Sequence, residues 1–463
     1  MENCFMKRKI TINLWDKIEY LSLNFQSNLD DEYKKANGIY YTGFELAYKI
    51  ISDLFLKGSI QEPVYRNTFL EPCGGIGNFV FAYLKFIYMN YSLDKSEALS
   101  LFKNIYYCEQ DIEAKKIYID IIIKIAKIYF DLDISVNDLN IGGAIIFDLN
   151  NDNMNYLDIK KYFDINKFDI IVTNPPYKNL RAEKKHYSSE ERFLVDKIKY
   201  DKIKNNAKNR YSLSTNAGAN IFKYFIEEIL LNYSHDNTQV ALLIPSSILT
   251  DKSCEKLRME IIKNNGLKKV FNIPENNKYI NAHQSLTYLI VDKGSHTEIV
   301  DMINYEEYLS KVDITKLSNS NNGYSIIFLK EDEYDLLYKM MKFKKLKELD
   351  FIVNMRGELD LTLNKSSITN EISKFKLVKG RNINKYKLLE CDNGYIKDSF
   401  VNASSKKSYI TNDRIACQQI ANLNKKNRLV FSYIPKNYVL GNSCNFIYVR
   451  ENEKYEHIDL YFF

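Results

Sequence analysis

Four consecutive residues, Asn174-Pro175-Pro176-Tyr177, hold the densest set of chemically capable groups in this 463-residue chain. The two prolines fix φ and remove two backbone donors, so the neighbouring carbonyl groups stand as acceptors in a rigid arrangement. The Asn174 side-chain oxygen and the Pro175 carbonyl can both accept hydrogen bonds from one NH2 group. The Tyr177 ring adds a stacking face for a planar base or amide. These parts suit an amino group conjugated to a π-system, a poor nucleophile until its lone pair is localised. A proline turn capped by a packed tyrosine is the alternative. The apolar run Asp169-Ile170-Ile171-Val172-Thr173, which delivers the tetrapeptide from the end of a strand, favours the chemical reading.

A second group of residues points to a ligand. In Phe69-Leu70-Glu71-Pro72-Cys73-Gly74-Gly75-Ile76-Gly77-Asn78-Phe79 a strand ends, a glycine-rich turn follows and a helix begins. Glycines let a backbone approach a ligand closely, and a helix N-terminus favours negative groups. Tight glycine turns also arise purely for packing. Glu109 closes the next strand, where an acid can accept hydrogen bonds from ribose hydroxyls. The pair suggests a nucleoside cofactor, and the absence of GxGxxG spacing tells against a dinucleotide.

The elements that must position these residues alternate between short apolar strands and helices from about residue 66 to 175. Strands are expected at 67–70, 104–108 and 168–173, with helices over 78–89 and 114–129. Such alternation predicts an α/β fold with a parallel sheet and crossover helices. Further strands are expected at 239–244 and 285–291, and residues 11–36 read as an amphipathic helical lead-in. Residues 178–218 form a long polar stretch that reads as a mobile, substrate-contacting loop or as an inserted segment. A composition shift at 340–350 marks the expected domain boundary, giving domains at 1–340 and 341–463.

Composition narrows the partners. Residues 341–463 carry 22 lysines and arginines against 13 acidic residues, a net +9, while the other 340 residues carry 43 against 46, a net −3. A basic C-terminal part suits contact with a polyanion. No apolar run reaches the roughly 18 residues of a membrane helix, so no membrane partner is expected. The seven cysteines are scattered without a CxxC pair. That pattern indicates neither a disulfide framework nor a metal site, and fits a reducing cytoplasmic setting.

In motif order the chain resembles the gamma-class (Taq-like) N6-adenine DNA methyltransferases of bacterial restriction-modification systems. The segment from Lys34 to Thr42 resembles their N-terminal cofactor motif, Glu71 to Phe79 the glycine-rich motif, and Tyr107 to Asp111 the ribose motif. Ile145 to Leu149 resembles the adenine-contact motif, and Asn174 to Tyr177 the catalytic one. Ala219 to Phe225 and Leu243 to Ser246 resemble later motifs of the sheet. The resemblance implies a Rossmann-like, seven-stranded AdoMet-dependent methyltransferase sheet followed by a smaller α+β target-recognition domain. It further implies S-adenosyl-L-methionine as cofactor, held by Tyr41, Thr42, Glu71, Pro72, Gly75, Gly77, Glu109, Asp148 and Asn174. The implied target is a flipped-out adenine in double-stranded DNA, sandwiched between Tyr177 and Tyr279, with His283 the alternative to Tyr279. Arg356, Lys379 and Arg381, in segments resembling recognition domains, become candidate DNA contacts.

Two departures stand out. Gly43 takes the place of the proline usual after Thr42, and Cys73-Gly74-Gly75-Ile76 replaces the commoner Ala-Cys-Gly-Ser or Ala-Cys-Gly-Thr. Both keep a tight turn. The same tetrapeptide also occurs in methylases of cytosine N4, of ribosomal RNA and of release-factor glutamine. The rival readings are therefore a ribosomal RNA adenine methylase and a catalytically silent DNA-specificity subunit. The apolar end at Asp459 to Phe463 leaves a recognition domain that is shortened or completed by a separate specificity polypeptide, and a cognate restriction endonuclease is a further expected partner.

Overall fold

A computed structural model describes residues 14–25, 42–55, 62–147, 156–184, 187, 189–214, 220–275, 277, 284–305, 307–420 and 429–450. Two compact units divide the chain, Met1–Tyr334 and Asp335–Phe463. No helix among the described residues is long and apolar enough to cross a membrane.

The first unit is built on one mixed sheet of nine strands: β1 (Phe69–Glu71), β2 (Ile105–Cys108), β3 (Asn140–Gly142), β4 (Phe168–Thr173), β5 (Ser234–Pro245), β6 (Asn265–Ile273), β7 (Leu286–Lys293), β8 (Ile299–Asn304) and β9 (Glu307–Asp313). Their order is β3-β2-β1-β4-β5-β7-β6-β8-β9. Strands β1 to β5 pair in parallel, whereas β7 runs antiparallel to both β5 and β6. The hairpin of β8 and β9 extends the expected seven strands to nine, because β8 pairs in parallel with the free edge of β6. Strand β4 is buried at every position but Asp169, as a central strand rich in Ile and Val requires.

Helices cover the sheet: α1 over 14–25, α2 (Phe44–Phe55), α3 (Asn78–Asn90), α4 (Lys95–Lys103), α5 (Ile112–Phe130), α6 (Glu190–Arg210), α7 (Ile221–Glu228) and α8 (Glu255–Lys263). Their starts follow local chemistry. Asp111 caps α5 by accepting a hydrogen bond from the Ala114 N–H at 2.9 Å, and Asp94 closes a capping box on α4 with Glu97.

Helix α6 corrects the expectation of a loop over 178–218. Its 21 residues are capped by Ser189, carry Glu190 and Glu191 in the first turn, and end on Lys208 and Arg210. This charge order complements the helix dipole. Only Tyr200, Ile203 and Ala207 are buried, too few to write a helical period into the sequence. The excursion from the sheet is closed at its base, where Asn179 bridges to Asn220 and the Ile221 N–H donates to the Lys178 carbonyl at 3.0 Å. Its far end is tied to α7. Arg210 pairs with Glu228 at 2.6 Å, and Glu227 accepts hydrogen bonds from the N–H groups of Ser212, Leu213 and Ser214.

The second unit holds two four-stranded sheets and a two-stranded ribbon. In one sheet β10 (Ile352–Arg356), β13 (Cys444–Val449), β11 (Arg414–Gln418) and β12 (Phe431–Ile434) are antiparallel neighbours. Glu358 and Arg414 form a buried ion pair at 2.9 Å, with the Arg414 guanidinium over the Phe446 ring. Short helices at Asp398–Ala403 and Lys407–Ile410 complete the α+β character.

Candidate functional site

The carboxyl ends of β1, β2 and β4 open onto one pocket. It encloses roughly 880 Å³ of space, open solvent at the mouth included. Thr42, Glu71, Pro72, Gly75, Glu109, Asn174, Pro175 and Pro176 line it. Six of the nine residues expected to hold a nucleoside cofactor thus meet around one space. Gly77 lies outside the lining, and Tyr41 and Asp148 lie outside the described residues.

One wall is the glycine turn. Gly77 has φ +95 and Gly75 φ +52, left-handed values that suit glycine. The spatial demand comes from aromatic packing. A β-carbon at Gly74 would overlap the Tyr107 ring, and one at Gly77 the Tyr118 ring. These two rings stack with centroids 3.8 Å apart, and the Tyr107 hydroxyl donates to the Gly75 carbonyl. Two of the glycines are therefore required by the rings beneath the turn, the packing role that a sequence leaves open beside ligand approach.

Two carboxylates face the pocket. Glu71 is buried and accepts from the Val80 N–H at 3.1 Å, which ties β1 to the first turn of α3. Burial pushes its acid well above the usual carboxylate range. Glu109 accepts from the N–H groups of Gly75 at 2.7 Å and of Gln110 and Asp111 at 2.8 Å. Burial raises its pKa too, against the lowering effect of those three donors. It clamps the glycine turn to the end of β2 and leaves about one lone-pair site, on the oxygen that Gly75 meets, for a ligand hydroxyl.

The opposite lip is the tetrapeptide. Pro175 is buried, and Asn174 is held through its amide N–H, which donates to the Thr42 hydroxyl at 2.9 Å across 132 positions of sequence. Thr42 is anchored in turn, its carbonyl accepting from Asn78 at 2.7 Å, and Asn78 meets the Ser22 hydroxyl of α1 at 3.0 Å. The Tyr177 hydroxyl faces both the Asn174 side-chain oxygen and the Leu243 carbonyl, the latter at 2.9 Å. Its single proton serves one of them at a time.

Tyr177 differs from expectation. Its ring is 8% exposed, stands edge-on to Phe222 at 6.5 Å and does not line the pocket. In this arrangement it is a packed ring, so stacking on a base requires the side chain to turn. Tyr279 and His283 lie outside the described residues. The apolar walls Phe79, Phe147, Ile221 and Phe225 were not singled out from sequence, although all four fall inside the quoted motifs or directly beside Asp148.

In the second unit the turn 441–444 is met by the side chain of Arg356 and by the backbone between Lys379 and Arg381. Arg356 donates to the Asn442 carbonyl at 2.8 Å, and the Gly380 N–H beside Lys379 and Arg381 donates to the Ser443 hydroxyl at 2.9 Å. Arg356 and Arg381 are exposed, and Lys379 is half-buried. Arg381 is engaged by Asn393 at 2.6 Å and Asp392 at 3.4 Å. Among the described residues no group of three His, Cys, Asp or Glu is placed to hold a metal ion.

Comparison with known proteins agrees with this architecture. Residues 83–279 match the family model described as Eco57I restriction-modification methylase, a span that includes Glu109 and the tetrapeptide but begins after the glycine turn. No curated protein matches the sequence. Among solved structures, the Type IIL restriction-modification enzyme MmeI in complex with DNA is 13% identical with a TM-score of 0.57, the match covering 93% of this chain and 65% of that one. The DrdV–DNA complex is 11% identical with a TM-score of 0.54, covering 96% of this chain and 52% of that one. The chain therefore spans between half and two-thirds of the length of these two proteins, and at such identities the likeness speaks for the fold. By its mixed α/β fold and its matched segment, the chain resembles the methylases of restriction-modification systems.

Proposed function

We propose that the chain transfers a methyl group from S-adenosyl-L-methionine to the N6 amino group of adenine in double-stranded DNA, within a restriction-modification system. The observation that carries this reading is the place of Asn174. It stands at the carboxyl end of β4, on the lip of a pocket whose far wall offers Glu71, Glu109 and the glycine turn. The donor set suits this cofactor: carboxylates for the ribose hydroxyls and the amino group, and Phe79, Phe147 and Phe225 for the adenine ring. When bound, the cofactor supplies an electrophilic methyl group on a sulfonium centre.

The chain's own residues position and polarise. The Asn174 oxygen and the Pro175 carbonyl accept the two hydrogens of the target amino group, which localises the nitrogen lone pair. For this the Tyr177 hydroxyl must release the amide oxygen, which it does as the ring turns towards the base. The Thr42 hydroxyl keeps the amide from rotating. Positioning and charge stabilisation carry the catalysis. Arg356, Lys379 and Arg381 contact DNA from the second unit, and a cognate endonuclease or a separate specificity polypeptide is a natural partner. Tyr177, once turned, and Tyr279 stack on an adenine rotated out of the duplex.

Transfer of label from methyl-labelled S-adenosylmethionine, with duplex DNA and ribosomal RNA offered side by side, tests the reading. Incorporation into DNA as N6-methyladenine is expected, and incorporation only into RNA would overturn it. Asn174→Ala should lower the rate at least about 1000-fold, roughly 4 kcal/mol of barrier, with cofactor affinity within a few fold. Full activity in that variant would sink the mechanism.

A further inference from the structure

The charge of the first unit is concentrated in one place. Residues 178–218 carry 11 lysines and arginines against five acidic residues, a net +6, whereas the remainder of 1–334 totals −9. Within α6 the acidic residues gather at the start. From Lys197 to Arg210 there are six basic residues, one acidic residue and three asparagines. Attraction to the helix dipole accounts for cations in the last turn, Lys208 and Arg210, but not for lysines at mid-helix.

Ion pairing sorts the cations further. Lys204 is taken by Asp201 at 2.6 Å and Arg210 by Glu228 at 2.6 Å. Lys197, Lys202 and Lys208 are exposed, and among the described residues none of them is in a salt bridge, although Lys197 lies in the field of Asp201. Lys197 and Lys208 are eleven residues apart, three turns, so they share a face at a spacing of roughly 16 Å. Lys202 lies between them along the axis but about 120–140° round the helix, on the other flank of its exposed side.

No residue of α6 lines the pocket, but the excursion that carries it leaves and returns at the pocket's edge. Its base is the Asn179–Asn220 bridge, flanked by Pro176 and Ile221, which line the pocket. The Tyr200 ring at mid-helix lies 5.6 Å from the Lys178 ammonium group, one residue past the tetrapeptide. A cationic face fixed beside a site for a base, on an otherwise acidic unit, is complementary to the phosphate backbone that carries the base.

We propose that Lys197, Lys202 and Lys208 of α6 bind the backbone of duplex DNA beside the target base. This rests on the methyltransferase reading and adds a backbone contact from the catalytic unit itself. Phosphate contacts of this kind orient a duplex without reading its sequence.

The test is the salt dependence of binding to a fluorescent 30-base-pair duplex of arbitrary sequence. The full chain and its triple variant Lys197→Gln, Lys202→Gln, Lys208→Gln are compared between 50 and 200 mM salt. The variant should bind about 10-fold or more weakly at 100 mM. Its slope of log affinity against log salt should fall by about three, close to one per lost phosphate contact. An unchanged slope in a variant that melts like the parent overturns the proposal. So does a slope that falls for structured RNA but not for duplex DNA. Should the triple variant melt early, Lys202→Gln alone should lower the slope by about one, and no change there overturns it equally. Parent protein that binds the duplex but transfers no methyl group to it would refute the enzymatic reading, and the slope difference would still decide this one.

Discussion

The two lips of the pocket are held by different physics. The glycine turn rests on stacked aromatic rings, with Tyr107 and Tyr118 filling the space that side chains at positions 74 and 77 would need. The tetrapeptide is held by hydrogen bonds, from distant Thr42 to Asn174, from Asn174 to its near neighbour Tyr177, and from Tyr177 to the distant Leu243 carbonyl. Packing is unforgiving of added volume, whereas a hydrogen-bonded amide has alternative partners within reach. The first lip is therefore a fixed wall, and the second can change partners during a reaction.

That contrast is open to test. Gly77→Ala should have the largest effect on stability. Both the left-handed backbone and the Tyr118 ring oppose a β-carbon, costing about 2–4 kcal/mol by chemical denaturation. A loss below about 0.5 kcal/mol would mean that the wall yields. Thr42→Val should leave melting nearly unchanged and lower the maximal methylation rate about 10-fold, the scale of one lost hydrogen bond, with little change in KM for DNA. Thr42→Ser should restore the rate; a shift in KM alone would remove Thr42 from the positioning of Asn174. The smallest effect concerns pH. In the proposed reading Glu109 accepts from ribose hydroxyls, best as a carboxylate, and its pKa is raised by burial. Cofactor affinity should therefore fall a few fold as pH drops from 8 towards 5, through a midpoint above the ordinary 4.5. In Glu109→Gln the fall should shrink to the share that Glu71 carries. A wild-type profile no steeper than that of the variant would remove the Glu109 carboxylate from cofactor binding.

The sheet was largely legible in the sequence because central parallel strands are nearly continuous apolar runs. Strand β4 occupies the expected 168–173. The pocket was legible at strand ends, where Glu71, Glu109 and Asn174 stand out as polar residues closing apolar runs. Helix α6 was not, because a helix with three buried residues in 21 leaves no period. Its ends were the readable part, with Ser189 before two glutamates and basic residues 18 to 20 positions on. The edge hairpin of β8 and β9 was missed because each strand buries only two residues, Val300 and Met302 in β8 and Ser310 and Val312 in β9, and one of these is a serine. The Thr42–Asn174 bond and the packed position of Tyr177 depend on the assembled fold, and no local pattern announces either.

The anchoring of the α6 excursion bears on how such a protein can evolve. Glu227 and Glu228 on α7 are almost completely buried. The amides of 212–214 and the Arg210 guanidinium, all on the excursion, neutralise or solvate them. A buried carboxylate stripped of its partners costs several kcal/mol. A deletion that shortens the excursion therefore cannot be inherited alone, since it must arrive together with replacement of the acidic pair on α7. The two segments should co-vary across descendants as one heritable block, gained, lost or exchanged together while the sheet beneath stays the same.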